Sequence, residues 1–219
     1  MGKAFIGQLA GYMARNPAAG LTPILISRSA TALVSPSYTA LSLDGWADAL
    51  AAAGTPPPAF PGQTLALLKA APGPAILVDN TSDEAVAAAY PLFLAQGVHV
   101  VTPNKKGFSG SLQLWTDIYA AAANGGGSGG SGGSGGYVFH EASVGAGLPV
   151  LSTLKELVET GDRVRRIEGI FSGTMSFLFN SFAPLDGDNG GKGFAACVRQ
   201  AQQLGYTVCL PQPICGMID

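Results

Sequence analysis

The sequence has few charged residues and no excess of basic ones. Of its 219 residues, 12 are Lys or Arg and 14 are Asp or Glu, which gives a formal net charge of −2. Because proteins that bind DNA or RNA present clustered Lys and Arg to the phosphates, this balance argues against a nucleic-acid partner. A content of 47% hydrophobic residues instead indicates a globular protein of one or two domains.

Cysteines and long apolar runs are also scarce. The three cysteines, Cys197, Cys209 and Cys215, are odd in number and show no C-x-x-C spacing, which argues against a disulfide framework or a zinc site. No apolar run approaches the ~20 residues that a membrane helix needs, and the first residues lack the apolar centre of a signal peptide. We therefore expect a cytoplasmic protein without a membrane partner.

Helices and strands are predicted to alternate along the first half of the chain. Apolar runs at 23–29, 74–82 and 98–106 each end in polar residues, which is typical of buried parallel strands. Helical spacing or composition predicts helices at 2–14, 44–53, 63–71, after Asp83 through Leu94, and at 109–123. The alternation predicts an α/β fold with a mainly parallel sheet.

The polar ends of these strands are the candidate ligand site. In an open α/β sheet, ligands bind beyond the carboxyl ends of the strands, where residues 79–83 and 103–106 would lie. Arg28 follows the first run, at the place where a dinucleotide fold meets the adenosine ribose. An Arg there suits the 2′-phosphate of NADP, although a solvated Arg at a strand end is equally consistent with the sequence.

A Gly/Ser run at 125–136 separates the two halves. It predicts a flexible coil with a root-mean-square reach of roughly 20 Å. We interpret it as a loop insertion, with an engineered linker or a true domain boundary as the alternatives. The predicted domains are a nucleotide-binding domain at 1–138, which includes the insert, and a partial substrate and dimerisation domain at 139–219.

The second domain begins with FHEASVGAGLP at 139–149, where a short strand passes through two glycines into a helix that starts at Pro149. The sequence of this stretch is compatible with a phosphate-binding turn at a helix N-terminus, or with a plain turn in which Glu141 makes a structural hydrogen bond. His140 is interpreted as a structural residue. Further on, the pattern predicts a strand at 164–172 and helices at 174–182 and 193–204.

Five segments resemble homoserine dehydrogenases, particularly the short fungal form. They are VDNTS at 78–82, TPNKKGFS at 102–109, FHEASVGAGLP at 139–149, TGDRVRRIEGIFSGTMSFLFN at 160–180 and AQQLGYT at 201–207. The resemblance implies a Rossmann-like NAD(P)-binding sheet followed by the start of an α+β substrate and dimerisation domain. It also implies NAD(P)H-dependent interconversion of L-aspartate 4-semialdehyde and L-homoserine, in threonine and methionine biosynthesis, by a homodimer.

The resemblance implies roles for particular residues of this chain. Lys105 would lie near the nicotinamide and the substrate as the candidate catalytic residue, and Gly205 would face the cofactor from the second domain. A monovalent cation, usually sodium, would be bound by oxygen atoms alone, as a hard cation prefers. The cofactor-binding residues would be Gly2, Thr81, Ser82, Pro103, Lys105 and Gly205, to which the place of Arg28 at a strand end adds Arg28. The cation ligands would be the Glu141 carboxylate and the carbonyls of Val144, Ala146 and Leu148, with Gly145 and Gly147 freeing the backbone to turn.

The sequence departs from the family pattern at both ends. Gly2 corresponds only to the third glycine of the family's G-x-G-x-x-G turn, and the strand before that turn has no counterpart. After Gly205-Tyr-Thr207 the family continues with E-P-D-P and D-L-x-G-x-D-x-x-x-K, which supply two substrate-binding acids and the acid/base lysine. Residues 208–219 contain neither motif. We therefore expect a truncated chain with little or no activity, the alternative being a non-catalytic nucleotide-binding fragment.

Overall fold

A computed structural model describes residues 1–122, 135–188 and 190–206 of the chain. The chain divides into two compact units, Met1–Ser143 and Val144–Asp219. The domain boundary predicted after residue 138 thus falls shortly before this division. Within the described ranges, no helix is both long enough and apolar enough to cross a membrane.

The first unit opens with helix α1, Gly2–Arg15, which confirms the helix predicted at 2–14. A small antiparallel sheet follows, made of β1, Leu25–Ser27, and β2, Ala32–Val34. The prediction of a parallel strand at 23–29 was therefore wrong in its pairing. The chain turns back at once, with the Arg28 N–H donating to the Thr31 carbonyl at 2.8 Å, so the next residues supply an antiparallel partner.

Two helices lead from this hairpin to the main sheet. They are α2, Trp46–Ala52, and α3, Gly62–Lys69. The helix predicted from residue 44 begins at Trp46 instead, because Gly45 occupies the cap position in a left-handed conformation with φ of 64°. A left-handed residue at this position is easiest for glycine, which explains the later start.

A parallel three-stranded sheet forms the centre of the first unit. Its strands are β3, Ile76–Val78, β4, His99–Val101, and β5, Val138–Phe139, in the order β3-β4-β5. The pairs Leu77 with Val100 and Val101 with Phe139 fix the register. These strands confirm the predicted parallel sheet and place the carboxyl ends of β3 and β4 next to each other.

Four helices cover this sheet, and their apolar faces form the main core. They are α4, Glu84–Ala88, α5, Tyr90–Ala95, α6, Lys106–Ser109, and α7, Leu112–Ala121. Within this core, the largest fully buried apolar residues belong to α5, to α7, and to β4 and the residue before it; they are Tyr90, Phe93, Leu94, Val98, Val100 and Ile118. The sheet from which the polar residues extend contributes Val100 and Val138 to this core.

The second unit consists of helices in its described part. These are α8, Val150–Glu159, α9, Gly173–Phe182, and α10, Phe194–Gln203, and α9 packs on α10 around Leu178, Cys197 and Ala201. The strand predicted at 164–172 was wrong, because residues 162–172 form neither helix nor strand. A strand needs a hydrogen-bonded partner, and the described residues of this unit offer none. The predictions for Thr207 onwards and for most of the Gly/Ser run lie outside the described residues.

Candidate cofactor site

The carboxyl ends of β3 and β4 bring two polar segments to one edge of the sheet. The ladder continues for one residue past each strand, since the Asp79 N–H donates to the Val101 carbonyl at 3.0 Å and the Thr102 N–H donates to the Phe139 carbonyl at 2.9 Å. The segments 79–83 and 102–106 therefore leave the sheet side by side. This is the edge at which open α/β sheets bind ligands.

Asp79 is the first residue of the segment 79–83, and its buried carboxylate is bonded to the other segment through Asn104. The residue is 3% exposed. The Tyr90 hydroxyl and the Asn104 side-chain amide donate to Oδ2 at 2.5 and 3.0 Å, and the Thr81 N–H donates to Oδ1 at 2.7 Å. Because a buried carboxylate is costly unless donors surround it, these three neutral groups are what make its position stable.

Thr102 and Asn104 complete the connection from the β4 side. The Thr102 hydroxyl donates to the Asp79 carbonyl at 2.9 Å and accepts the Asn104 N–H at 2.8 Å. The Asn104 side-chain amide also donates to the Asp83 carbonyl at 2.9 Å, and its oxygen accepts the Lys106 N–H at 3.1 Å. Thr102 and Asn104 are each 2% exposed, and the two bonds of the Thr102 hydroxyl are buried, whereas those to Asp83 and Lys106 are partly buried.

Tyr90 is the member of this network that sequence reasoning missed. It is fully buried, and burial, followed by its hydrogen bond to Asp79, raises the pKa of its hydroxyl far above the ordinary value. The group therefore stays a neutral donor throughout the physiological range. A tyrosine within the apolar sequence AAAYPLFLA was the available signal, since a buried tyrosine hydroxyl requires a partner.

The structure brings most of the predicted cofactor-binding residues of the first unit to this edge. Thr81, Ser82 and Lys105 are exposed and Pro103 is half-buried, all within the two tied segments. Gly2 starts α1 beside them, because a Cβ placed on Gly2 would lie 3.9 Å from the Cβ of Asn80. The amides of the first turn of α1 thus face the same region.

Arg28 lies elsewhere in the first unit. It is exposed in the turn that joins β1 to β2, and its backbone pairs with Thr31. No hydrogen bond or ion pair found among the described residues connects its side chain to the segments 79–83 and 102–106.

His140 has the surroundings of a structural residue. Its Nε2 lies 2.5 Å from the Tyr119 hydroxyl, its Nδ1 lies 3.2 Å from the Ser143 hydroxyl, and the Phe108 ring stacks on it at 3.8 Å. Burial lowers the pKa of the imidazole and raises that of the Tyr119 hydroxyl. These contacts agree with the interpretation of His140 as a packing residue.

The predicted cation ligands fall on both sides of the division between the units. Glu141 starts a short 3₁₀ turn, Glu141–Ser143, at the end of the first unit, whereas Val144, Ala146 and Leu148 belong to the second. The backbone freedom expected at Gly145 and Gly147 is used at Gly145 and Ala146, whose φ angles are 72° and 53°.

Gly205 also belongs to the second unit. It follows α10 with φ of 76°, a left-handed conformation that suits glycine at the end of a helix. Its predicted role at the cofactor remains a prediction.

The first unit has the features of a dinucleotide-binding α/β protein, namely a parallel sheet, polar segments at its carboxyl edge and a helix N-terminus beside them. A family model described as homoserine dehydrogenase, NAD binding domain, matches residues 2–128. A second, described as homoserine dehydrogenase, matches residues 149–212. The chain belongs to the homoserine dehydrogenase family.

Curated relatives agree with this assignment over nearly the whole chain. A homoserine dehydrogenase of Emericella nidulans is 49% identical over 212 residues, which cover 94% of this chain and 54% of the relative. One of Saccharomyces cerevisiae is 38% identical, with coverages of 94% and 54%. The chain therefore spans about half the length of the curated relatives it matches.

Two solved structures are similar in fold. A Candida auris protein of unknown function has a TM-score of 0.70 at 38% identity, over 93% of this chain and 52% of its own. A homoserine dehydrogenase of Thermoplasma acidophilum has a TM-score of 0.66 at 20% identity, with coverages of 94% and 58%. The second likeness supports the fold alone.

Proposed function

We propose that the chain binds a nicotinamide dinucleotide at the carboxyl edge of its parallel sheet. The observation that carries the proposal is the joined pair of segments 79–83 and 102–106, which present exposed polar groups and the Lys105 ammonium beside the first turn of α1. A helix N-terminus favours an anionic group such as a pyrophosphate. Gly2 leaves room there for close approach, so these residues fit the cofactor named by the matching family model.

The family membership supports homoserine dehydrogenase chemistry as the function in which this site takes part. The cofactor supplies hydride transfer when bound. The residues around it bind and orient the reactants and provide the electrostatic environment of the reaction. Lys105 is exposed at the end of β4 and carries a positive charge to the sheet edge. There it would hydrogen-bond the aldehyde oxygen of L-aspartate 4-semialdehyde and stabilise the negative charge that develops on it.

Further features of the proposal concern single residues, Arg28 by its place after the first apolar run and the others by their resemblance to the family. Arg28 would favour NADPH over NADH by pairing with a 2′-phosphate. Thr81, Ser82, Pro103 and Gly205 would line the cofactor. Glu141 with the carbonyls of Val144, Ala146 and Leu148 would hold a sodium ion, and a homodimer would be the working form as in the family.

Replacing Lys105 tests the cofactor site. We expect Lys105→Ala to weaken NADPH binding about tenfold, because one charged contact at the bound cofactor is lost. The neighbouring Lys106→Ala is the matched control and should change the affinity less than twofold, since that side chain is directed to Glu84 at 4.0 Å. Titrations with NADPH and NADH, followed by fluorescence, measure both effects and the preference between the two cofactors.

The alternative function is nucleotide binding without turnover. It is favoured by residues 208–219, which lack the acids and the lysine that the family carries after its G-Y-T. Loss of general acid–base catalysis typically costs ~10²–10⁴-fold in rate. NADPH consumption with L-aspartate 4-semialdehyde separates the two: turnover within tenfold of a full-length relative supports the dehydrogenase, and binding without turnover supports the alternative. A chain that binds no dinucleotide contradicts both.

A further inference from the structure

Four buried side chains connect the two segments that form the proposed cofactor site. We propose that Asp79, Tyr90, Thr102 and Asn104 act together as a positioning device that holds the segments 79–83 and 102–106 in one fixed geometry for the nicotinamide half of the cofactor. The inference rests on the proposed function, and it assigns a role to residues that do not themselves touch the cofactor.

The bonds of the network end on the backbone of both segments. Three amides, those of Thr81, Asn104 and Lys106, donate to side-chain oxygens of the network, and two carbonyls, those of Asp79 and Asp83, accept from it. Each segment is thereby fixed at points next to the residues that would face the cofactor. Movement of one segment requires breaking bonds to the other.

Tyr90 anchors this network to the protein core. It starts α5, is fully buried, and reaches both Asp79 Oδ2 at 2.5 Å and the Thr102 hydroxyl oxygen at 3.0 Å. A carboxylate only accepts, so the tyrosine donates its single hydrogen to Asp79. Because the Thr102 hydrogen is donated to the Asp79 carbonyl, the contact between the two hydroxyl oxygens holds no hydrogen of its own. The segments are therefore fixed to a helix of the core as well as to each other.

The hydrogen-bonded network is confined to the part of the proposed site that the segments 79–83 and 102–106 form. Its hydrogen bonds link residues between 79 and 106, and none of those found in the described residues reaches the β1–β2 hairpin that carries Arg28. Because a site that is fixed beforehand loses less entropy when a ligand binds, loosening these segments weakens binding of the nicotinamide half selectively. A ligand without nicotinamide is the matched probe.

Tyr90→Phe removes the hydroxyl and keeps the ring in the core. We expect faster hydrogen exchange at the amides of Thr81, Asn104 and Lys106, and an approximately tenfold weaker affinity for NADPH. The affinity for adenosine 2′,5′-bisphosphate, which lacks the nicotinamide, should change less than twofold. The ratio of the two affinities reports positioning, because a general loss of stability would affect both ligands alike.

Tyr38→Phe is the control for loss of a tyrosine hydrogen bond. The Tyr38 hydroxyl donates to the Leu67 carbonyl at 3.0 Å, away from both segments, so the affinity ratio and the exchange at the three amides should stay as in the unaltered chain. If Tyr90→Phe does not fold, Thr102→Val, which loses the hydroxyl, and Thr102→Ser, which keeps it, provide the same comparison. The serine variant should then restore the affinity ratio.

Two results would distinguish failure of the positioning role from failure of the proposed cofactor function. If the unaltered chain binds NADPH but Tyr90→Phe and Thr102→Val change neither the affinity ratio nor the exchange at the three amides, the positioning role is overturned. If the unaltered chain binds neither ligand, the proposed cofactor function is overturned, while the exchange data still decide whether the network holds the segments together.

Discussion

Asp79 shows which part of the candidate site could be predicted from the sequence. The position of the polar segments at the strand ends could be predicted, whereas the hydrogen-bond partners of the buried side chains could not. Polar residues after two apolar runs correctly predicted segments 79–83 and 103–106 at neighbouring strand ends. The inward direction of Asp79 depends on Tyr90, which comes from a separate helix, and Asn104 is held through the same carboxylate. The apolar surroundings of Tyr90 in the sequence indicate that its hydroxyl needs a partner, but they do not indicate which one. A pattern of apolar and polar residues indicates which side chains leave a strand end, whereas the partner that buries one of them is a property of packing.

His140 predicts a pH dependence of stability. Burial lowers its pKa in the folded protein below the ordinary value of 6.5, so below about pH 6.5 the unfolded chain binds more protons than the folded one. The stability contributed by neutral His140 is therefore fully present above pH 6.5 and is lost as the pH falls towards the folded pKa. Thermal melts between pH 7.5 and 5.5 should show this loss.

The control for that measurement is His140→Asn, which removes the titrating group. Its melting temperature should depend less on pH over the same interval than that of the unaltered chain, because His99 and the carboxylates remain in both proteins. Equal slopes for the two proteins would contradict the assignment of the pH dependence to His140.

At the scale of elements, apolar runs correctly predicted the two strands that pair with each other in the parallel sheet. They gave a wrong prediction for one run that pairs antiparallel and for one that has no partner strand among the described residues. Residues 74–82 and 98–106 contain β3 and β4 as expected. Residues 23–29 pair antiparallel with their own continuation, and residues 164–172 pair with nothing in the described part of the chain. A run of apolar residues indicates a tendency to pair, but the choice of partner depends on which strand lies next to it.

Gly136 provides a test of how closely the residues that lead into β4 and β5 approach each other. A Cβ on this residue would lie 2.0 Å from the Val98 carbonyl oxygen and 2.5 Å from its carbon, and the Gly136 N–H donates to the Leu94 carbonyl at 2.7 Å. Because backbone atoms would have to move apart, Gly136→Ala should lower the free energy of unfolding by about 1–3 kcal/mol. Urea denaturation measures the change.

Gly7→Ala is the matched control within the same unit. Gly7 lies inside α1 and a Cβ there meets nothing within 4 Å. Alanine favours a helix over glycine by about 1 kcal/mol, so this substitution should leave stability unchanged or raise it. A Gly136→Ala variant as stable as Gly7→Ala would show that the two strands can separate without cost.

At the scale of the whole molecule, the two units differ in how much core they contain. The first has a continuous cluster of buried residues from helices and strands. In the described part of the second, the cluster consists of Leu178, Cys197 and Ala201, and α8 has no buried residue. The sequence predicted two domains from motifs, but it could not predict this difference, since apolar residues such as Ile167, Ile170 and Phe179 remain exposed here.

Hydrogen exchange should therefore be uneven along the chain. Amides of α5 and β4 in the first unit should exchange at least tenfold more slowly than those of α9 and α10, because local opening requires less buried surface to be exposed in the second unit. Peptide-resolved exchange measured by mass spectrometry checks this, and equal protection of both regions would contradict it.

Gly136 is also the last residue of the Gly/Ser run, and its packing constrains how that run can vary. Position 136 has no room for a Cβ and its amide is bonded to the core, while nothing in the sequence of the preceding residues demands one order of Gly and Ser. A mutational library across the run should recover glycine at 136 and mixed residues before it. A fused peptide or fluorescent domain would accordingly be inserted early in the run rather than at its end.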